Sequence, residues 1–130
     1  MKYLLDTHIF LWRLLEPGRL SRAQAAALAD IESELYLSPI SIWEALVWAR
    51  KGRLRLAPDP ERFLRIALAD SPTRMAPVTF EIAFASERLE GFRNPDPADR
   101  LLVATSLVED LCLITADDRI RRWQGVTTLP

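Results

Sequence analysis

The sequence predicts an α/β fold built on a mostly parallel sheet with helices over both faces. Two observations carry that prediction. First, short strand-like runs in "KYLL", "LYLS" and "LCLIT" have apolar residues that do not alternate with polar ones. Strands of that kind are buried on both faces, as in parallel sheets. Second, segments of helical period separate these runs, and parallel strands need such crossover connections.

The elements follow in order. "KYLL" reads as a buried strand, followed by a helix over 7–16 that stops at Pro17-Gly18. Ser21 is placed to cap an alanine-rich helix running to about residue 31. "LYLS" is the second strand. A helix over 41–51 comes next, with Gly52 supplying the left-handed residue that ends it. Asp59-Pro60 is a cap followed by a first-turn proline, opening a helix to residue 69. "RMAPV" contains a short strand, and Thr79 caps a helix reaching Gly91. Asp96-Pro97 repeats the cap-and-proline signal before "ADRLLVATSLVED". "LCLIT" is the clearest strand, and "VTTL" a last one.

A length of 130 residues suits one domain, 1–130, with enough apolar residues for a sizeable core. Asp6, Arg13 and Glu16 interrupt the first apolar stretch, so no run approaches the roughly 18 residues of a membrane span. Asp6 also spoils a signal-peptide reading. The single cysteine, Cys112, excludes an internal disulfide framework and fits a reducing cytoplasm. Within "LCLIT" it reads as a small buried residue. The net charge of −1 gives no whole-molecule attraction to nucleic acid. Nearly all the positive charge is arginine, however, and it gathers in two places. Arg50, Lys51, Arg53 and Arg55 form one cluster; Arg119, Arg121 and Arg122 form the other. Each cluster alone reads as a solvated helix end or loop.

Four carboxylates sit where apolar residues are expected. Asp6 lies between a strand and an apolar helix, and Glu44 is surrounded by Trp43, Ala45, Leu46, Val47 and Trp48. Asp99 lies in the first turn of a helix that continues "LLVATSLV", and Asp117 follows "LCLIT". Each has a structural role available. "SIWE" fits a capping box with Ser41 as N-cap and Glu44 at N3. Asp99 suits the helix dipole at N3. Asp6 can cap its helix, and Asp117 with Asp118 can open "DRIRRW". Yet Asp6 and Asp117 also sit at the carboxyl ends of strands, where open α/β sheets bind ligands. Carboxylates gathered in one pocket raise one another's pKa or recruit a cation. An all-oxygen donor set points to Mg²⁺ or Mn²⁺.

"LLDTHIFLW", "SIWEALVWARKGRL", "DPADRLLVATSL" and "LITADDRI", in this order, resemble the PIN-domain family, and specifically the VapC toxins of bacterial toxin–antitoxin pairs. The likeness runs through essentially the whole chain. It implies a Rossmann-like α/β/α sandwich and an endoribonuclease dependent on Mg²⁺ or Mn²⁺. It also implies a homodimer held inactive by a cognate antitoxin. The family's acids fall on Asp6, Glu44, Asp99 and Asp117, which are thereby the expected metal-binding and catalytic residues. Thr115 matches a supporting hydroxyl, and Thr7 beside Asp6 is a second candidate. Asp96 is expected to cap its helix and to pair with Arg100, and Asp118 to be solvated.

The remaining candidates are weaker. His8, the only histidine, lacks a catalytic partner in the sequence. Trp12, Trp43 and Trp48 could stack on unpaired bases, but among Leu and Val they read as core or interface. "DTHIFLWRLLE" and "PERFLRIALAD" carry enough apolar surface for a dimer face or an antitoxin groove. Two other readings compete with the ribonuclease. One is a phosphatase forming an aspartyl phosphate on Asp6, although such enzymes usually carry an acid where His8 stands. The other is a catalytically silent module that binds RNA or protein.

Overall fold

The structure, a computed structural model, describes residues 1–130. Its strands are β1 (Lys2–Leu5), β2 (Glu34–Leu37), β3 (Arg74–Met75), β4 (Cys112–Ile114) and β5 (Thr128–Leu129). The helices are α1 (Thr7–Leu15), α2 (Arg22–Ala29), α3 (Pro39–Arg50), α4 (Pro60–Ala69), α5 (Phe80–Ser86), α6 (Pro97–Val108) and α7 (Asp118–Arg122). A 3₁₀ turn covers Pro17–Arg19. All strand pairs are parallel, in the order β3-β2-β1-β4-β5. The chain thus builds outward from β1 through β2 to β3, then returns to place β4 on β1's other edge. That reversal makes the crevice beyond β1 and β4 the topological switch point, where such sheets bind ligands.

Alternation along β1 explains why its apolar run is unbroken. Tyr3 and Leu5 face a core shared with Ile9 and Phe10 of α1, Leu28 of α2, Ala45 of α3 and Leu64 of α4. Leu4 faces the opposite core, with Leu102 and Val103 of α6, Leu113 of β4 and Ile120 of α7. Leu4 and Leu5 are both completely buried, so truncating either to alanine should cost about 2–5 kcal/mol. Two helical layers therefore sandwich the sheet. No helix is long and apolar enough to cross a membrane.

Most helix starts follow their cap signals. Ser21 and Gln24 form a capping box on α2, and Asp59, Thr79 and Asp96 cap α4, α5 and α6. Gly52, at φ +74°, adopts the left-handed conformation after α3.

Three expectations need correction. Helix α3 begins at Pro39, not at Ser41: Ser38 is the N-cap, its side chain accepting from the Ile40 N–H. Pro39 at N1 has its φ preset for a helix, so the Ser-Pro signal outcompetes the capping box read in "SIWE". Helix α5 ends at Ser86, well before Gly91. The Ser86 carbonyl at its end and those of Phe92 and Asn94 beyond it accept from the Arg100 guanidinium, at 2.9, 2.9 and 3.0 Å. Arg100 therefore does not pair with Asp96; it anchors the loop that precedes α6.

Candidate functional site

Asp6 is the first residue past β1. Its N–H donates to the Ile114 carbonyl at 3.0 Å, extending the β1–β4 ladder by one step. This fixes the buried carboxylate at the switch point. Oδ1 accepts from the Thr7 N–H at 2.7 Å, capping α1, and Oδ2 accepts from Thr115 Oγ1 at 2.6 Å. Thr115 is completely buried just beyond β4. Its hydroxyl also accepts from the Asp117 N–H at 3.0 Å, tying the two aspartates to one group.

Glu44 approaches from α3, freed from capping by the earlier start of that helix. Thr7 Oγ1 lies 2.6 Å from its Oε1 and 2.8 Å from Ser41 Oγ. A hydroxyl has one proton. Thr7 therefore donates to the glutamate and accepts from Ser41. Asp99, at N3 of α6, is buried, and its Oδ2 accepts from Asn94 Nδ2 at 2.8 Å. Asp117 caps α7, its Oδ1 accepting from the Arg119 N–H at 2.8 Å. Arg119 then reaches back between the last two acids, its Nη2 3.1 Å from Asp117 Oδ2 and 3.4 Å from Asp99 Oδ2.

The electrostatics follow from this placement. Burial pushes the Asp6 carboxyl above its ordinary range, against hydrogen bonds from Thr115 and Thr7. Burial raises Glu44 to about 7, and repulsion from Asp6, Asp99 and Asp96 adds to it. Burial also raises Asp99 to about 6, with Asp96, Asp6 and Asp117 contributing repulsion. Partial burial pushes Asp117 upward too, but the hydrogen bonds and charge of Arg119 outweigh it and hold that carboxyl below its usual value. Asp6 and Asp99 thus each repel Glu44, and Asp117 repels both Asp6 and Asp99.

As the side chains stand, no three acidic, histidine or cysteine groups are arranged to hold a metal ion. Threonine hydroxyls engage Asp6 and Glu44, and one guanidinium draws Asp99 and Asp117 together. The donor chemistry nonetheless fits a hard divalent cation. The set is all oxygen, its repulsion is only partly offset, and each carboxylate oxygen keeps further acceptor capacity.

Other candidates lie apart from the acids. His8 is exposed and stacks between Trp12 and Trp48, with ring centroids at 5.8 and 4.8 Å. It hydrogen-bonds to none of the four acids. Trp43 is 57 % exposed, so it is a surface residue and not core. Asp118 is solvated, with Arg121 3.6 Å away. Sequence reasoning missed Asn94, whose only signal was an Asn-Pro turn, and the reach of Arg119 into the site. It also took Ser41 for a cap when its hydroxyl supports Thr7.

The PIN-domain family model matches residues 3–126. The chain is 36 % identical over 119 residues to Ribonuclease VapC22 of Mycobacterium tuberculosis, covering 91 % of this chain and 88 % of that protein. Among solved structures, VapBC2 from Rickettsia felis bound to a promoter DNA fragment superposes with a TM-score of 0.74 at 14 % identity. That match covers 99 % of this chain and 98 % of that one. FitAcB from Neisseria gonorrhoeae gives 0.70 at 21 %, covering 98 % and 96 %. A toxin–antitoxin complex from Klebsiella pneumoniae gives 0.67 at 23 %, again covering 98 % and 96 %. The chain belongs to the PIN-domain family, in its VapC branch.

Proposed function

We propose that this protein is a divalent-metal-dependent endoribonuclease, the toxin of a VapBC-type pair, and that Asp6, Glu44, Asp99 and Asp117 are its metal-binding and catalytic residues. One observation supports the site above the others: carboxylates just past β1, on α3 and on α6 are near enough to repel one another, and burial with that repulsion raises their pKa values. Mg²⁺ or Mn²⁺, held by these four directly or through waters, would offset that repulsion, stabilise charge on a phosphate and acidify water. The chain's own contribution is placement. Thr115 holds Asp6 and the Asp117 backbone in register, Thr7 and Ser41 orient Glu44, and Asn94 orients Asp99. Water attacks the phosphorus in line, leaving a 5′-phosphate and a 3′-hydroxyl.

The partners follow from the same reading. RNA is the substrate, and the protein works in the cytoplasm. The chain forms a homodimer, and an antitoxin protein covers its apolar surface. A cleft lined by Phe10, Leu14, Phe63, Ile66 and Ala67, with none of the four acids, suits that antitoxin. Incubating the purified protein with RNA and Mn²⁺, with and without chelator, tests the activity. Metal-dependent cleavage that disappears in Asp6→Asn is the expected result. Cleavage insensitive to chelator and to that substitution would refute it.

A further inference from the structure

One open cleft shares two lining residues, Asn94 and Arg119, with the partners of the acids, and three arginines line it. Arg93 and Arg122 flank it, Arg119 forms its inner lip, and no acidic residue lines it. Asn94 closes the inner end, where its amide donates to Asp99 at 2.8 Å. Through Asn94 and Arg119 the cleft is one side chain removed from Asp99 and Asp117.

Its floor is well braced. The Phe92 and Trp123 rings pack 5.2 Å apart, and Trp123 Nε1 donates to the Glu90 carbonyl at 3.2 Å. Gly91, at φ +80°, lets the backbone turn beneath the indole, its Cα hydrogens facing Nε1 where a Cβ would lie 3.6 Å away. Neither flanking arginine is committed to a carboxylate. Arg93 is exposed and makes no side-chain hydrogen bond or ion pair. Arg122 uses only Nε, donating to the Asp118 carbonyl at 3.2 Å, which leaves the outer edge of its fork free. In contrast, Arg19, Arg65 and Arg74 are each paired with a glutamate.

We propose that this cleft is the phosphate-binding track of the substrate, with Arg93 and Arg122 holding backbone phosphates of single-stranded RNA next to the bond placed at the acids. The inference rests on the ribonuclease reading above. An acidic pocket repels a polyanion, so the strand needs cations immediately beside it. Two free guanidinium forks suit phosphate oxygens, which they can bind in bidentate fashion. Arg119, already bridging Asp99 and Asp117, is the hand-over point between carboxylates and strand.

The test measures equilibrium binding of a fluorescent single-stranded RNA to Asp6→Asn protein across a salt series. A matching series uses Asp6→Asn combined with Arg93→Ala and Arg122→Ala. Loss of two phosphate contacts should weaken binding about tenfold near 0.1 M salt and flatten the log–log salt slope by about 1.4. The same charge loss at Arg22 and Arg62, which line no part of the cleft, should change the slope far less. In the active background, Arg93→Ala/Arg122→Ala should raise KM with kcat and Tm held. Unchanged affinity and slope in the cleft variant, or an equal loss in the Arg22/Arg62 control, would overturn the proposal. So would intact RNA binding accompanied by loss of binding to an acidic polypeptide, which would reassign the cleft to a protein partner. Failure of the wild-type protein to cleave RNA with Mn²⁺ would instead strike the ribonuclease reading itself.

Discussion

The two halves of the acidic pocket hold like charges by unlike means. Around Asp6 and Glu44 the partners are neutral: Thr7, Thr115 and Ser41 offer hydroxyls and backbone dipoles. Around Asp99 and Asp117 a full positive charge is present, the Arg119 guanidinium. The consequence shows in proton affinity. Glu44 is pushed up to about 7, whereas Asp117 is held below its ordinary value. Asp99 lies between, raised to about 6 by burial and by repulsion from Asp96, Asp6 and Asp117, against the hydrogen bond from Asn94. Hydroxyls fix where a carboxylate points without cancelling its charge, so they preserve the drive to recruit a cation. A guanidinium satisfies that drive itself.

The largest expected effect comes from breaking the neutral half. Asp6→Asn should reduce kcat by on the order of a thousandfold, with the circular dichroism spectrum and cooperative melting retained. Removing its support is the next step down. Thr115→Val deletes the donor to Asp6 and the acceptor for the Asp117 N–H. A loss of about 10–100-fold in metal affinity or activity is expected, together with about 1–3 kcal/mol of stability from the buried groups left unpaired. Mn²⁺ titration and denaturant melts would measure the two separately.

The pH dependence sharpens the same contrast. Glu44, Asp99 and Asp6 have folded pKa values raised above their ordinary ones. Each therefore binds its proton more tightly in the folded protein than in the unfolded chain. Their contribution to stability is full below about pH 4; for Asp99 and Glu44 it is lost as pH rises through about 6 and about 7. Metal-free protein should melt at progressively lower temperature across that window. Mn²⁺ should raise the Tm more at pH 8 than at pH 5.5, because the ion then displaces fewer protons. The smallest expected effect belongs to the charged half. Arg119→Ala removes a competing cation, so Mn²⁺ affinity should rise a few-fold, on the scale of one exposed ion pair, and Asp117 should titrate at a higher pH. A fall in Mn²⁺ affinity would mean that Arg119 organises the site instead of competing for it.

Much of this arrangement is readable from residue order, because local rules agreed with the global fold. Unbroken apolar strands marked a sheet covered twice, and Asp-Pro pairs marked the starts of α4 and α6. Where two local signals competed, the reading slipped. "LSPISIWE" holds both a Ser-Pro start and a capping box, and only three-dimensional packing shows the first prevailing. That same choice decides whether Glu44 caps a helix or faces Asp6. Arg100 was misassigned for a related reason. The acid one helical turn before it, Asp96, was the expected partner, but the carbonyls of Ser86 at the end of α5 and of Phe92 and Asn94 in the following loop satisfied it better. The bridging role of Arg119 was illegible, because Asp99 lies 20 residues away on another helix. A cluster of arginines says nothing about which one turns inward.

The central claim is that side chains from β1, α3 and α6 act as one ion-holding unit. Titrating Mn²⁺ into wild-type protein at pH 7.5, with free ion followed by electron paramagnetic resonance, tests it most directly beside Asp6→Asn, Glu44→Gln and Asp99→Asn. Saturable binding in the wild type that weakens in all three variants is the predicted result. Absence of binding in the wild type, or affinity indifferent to all three substitutions, would contradict the account.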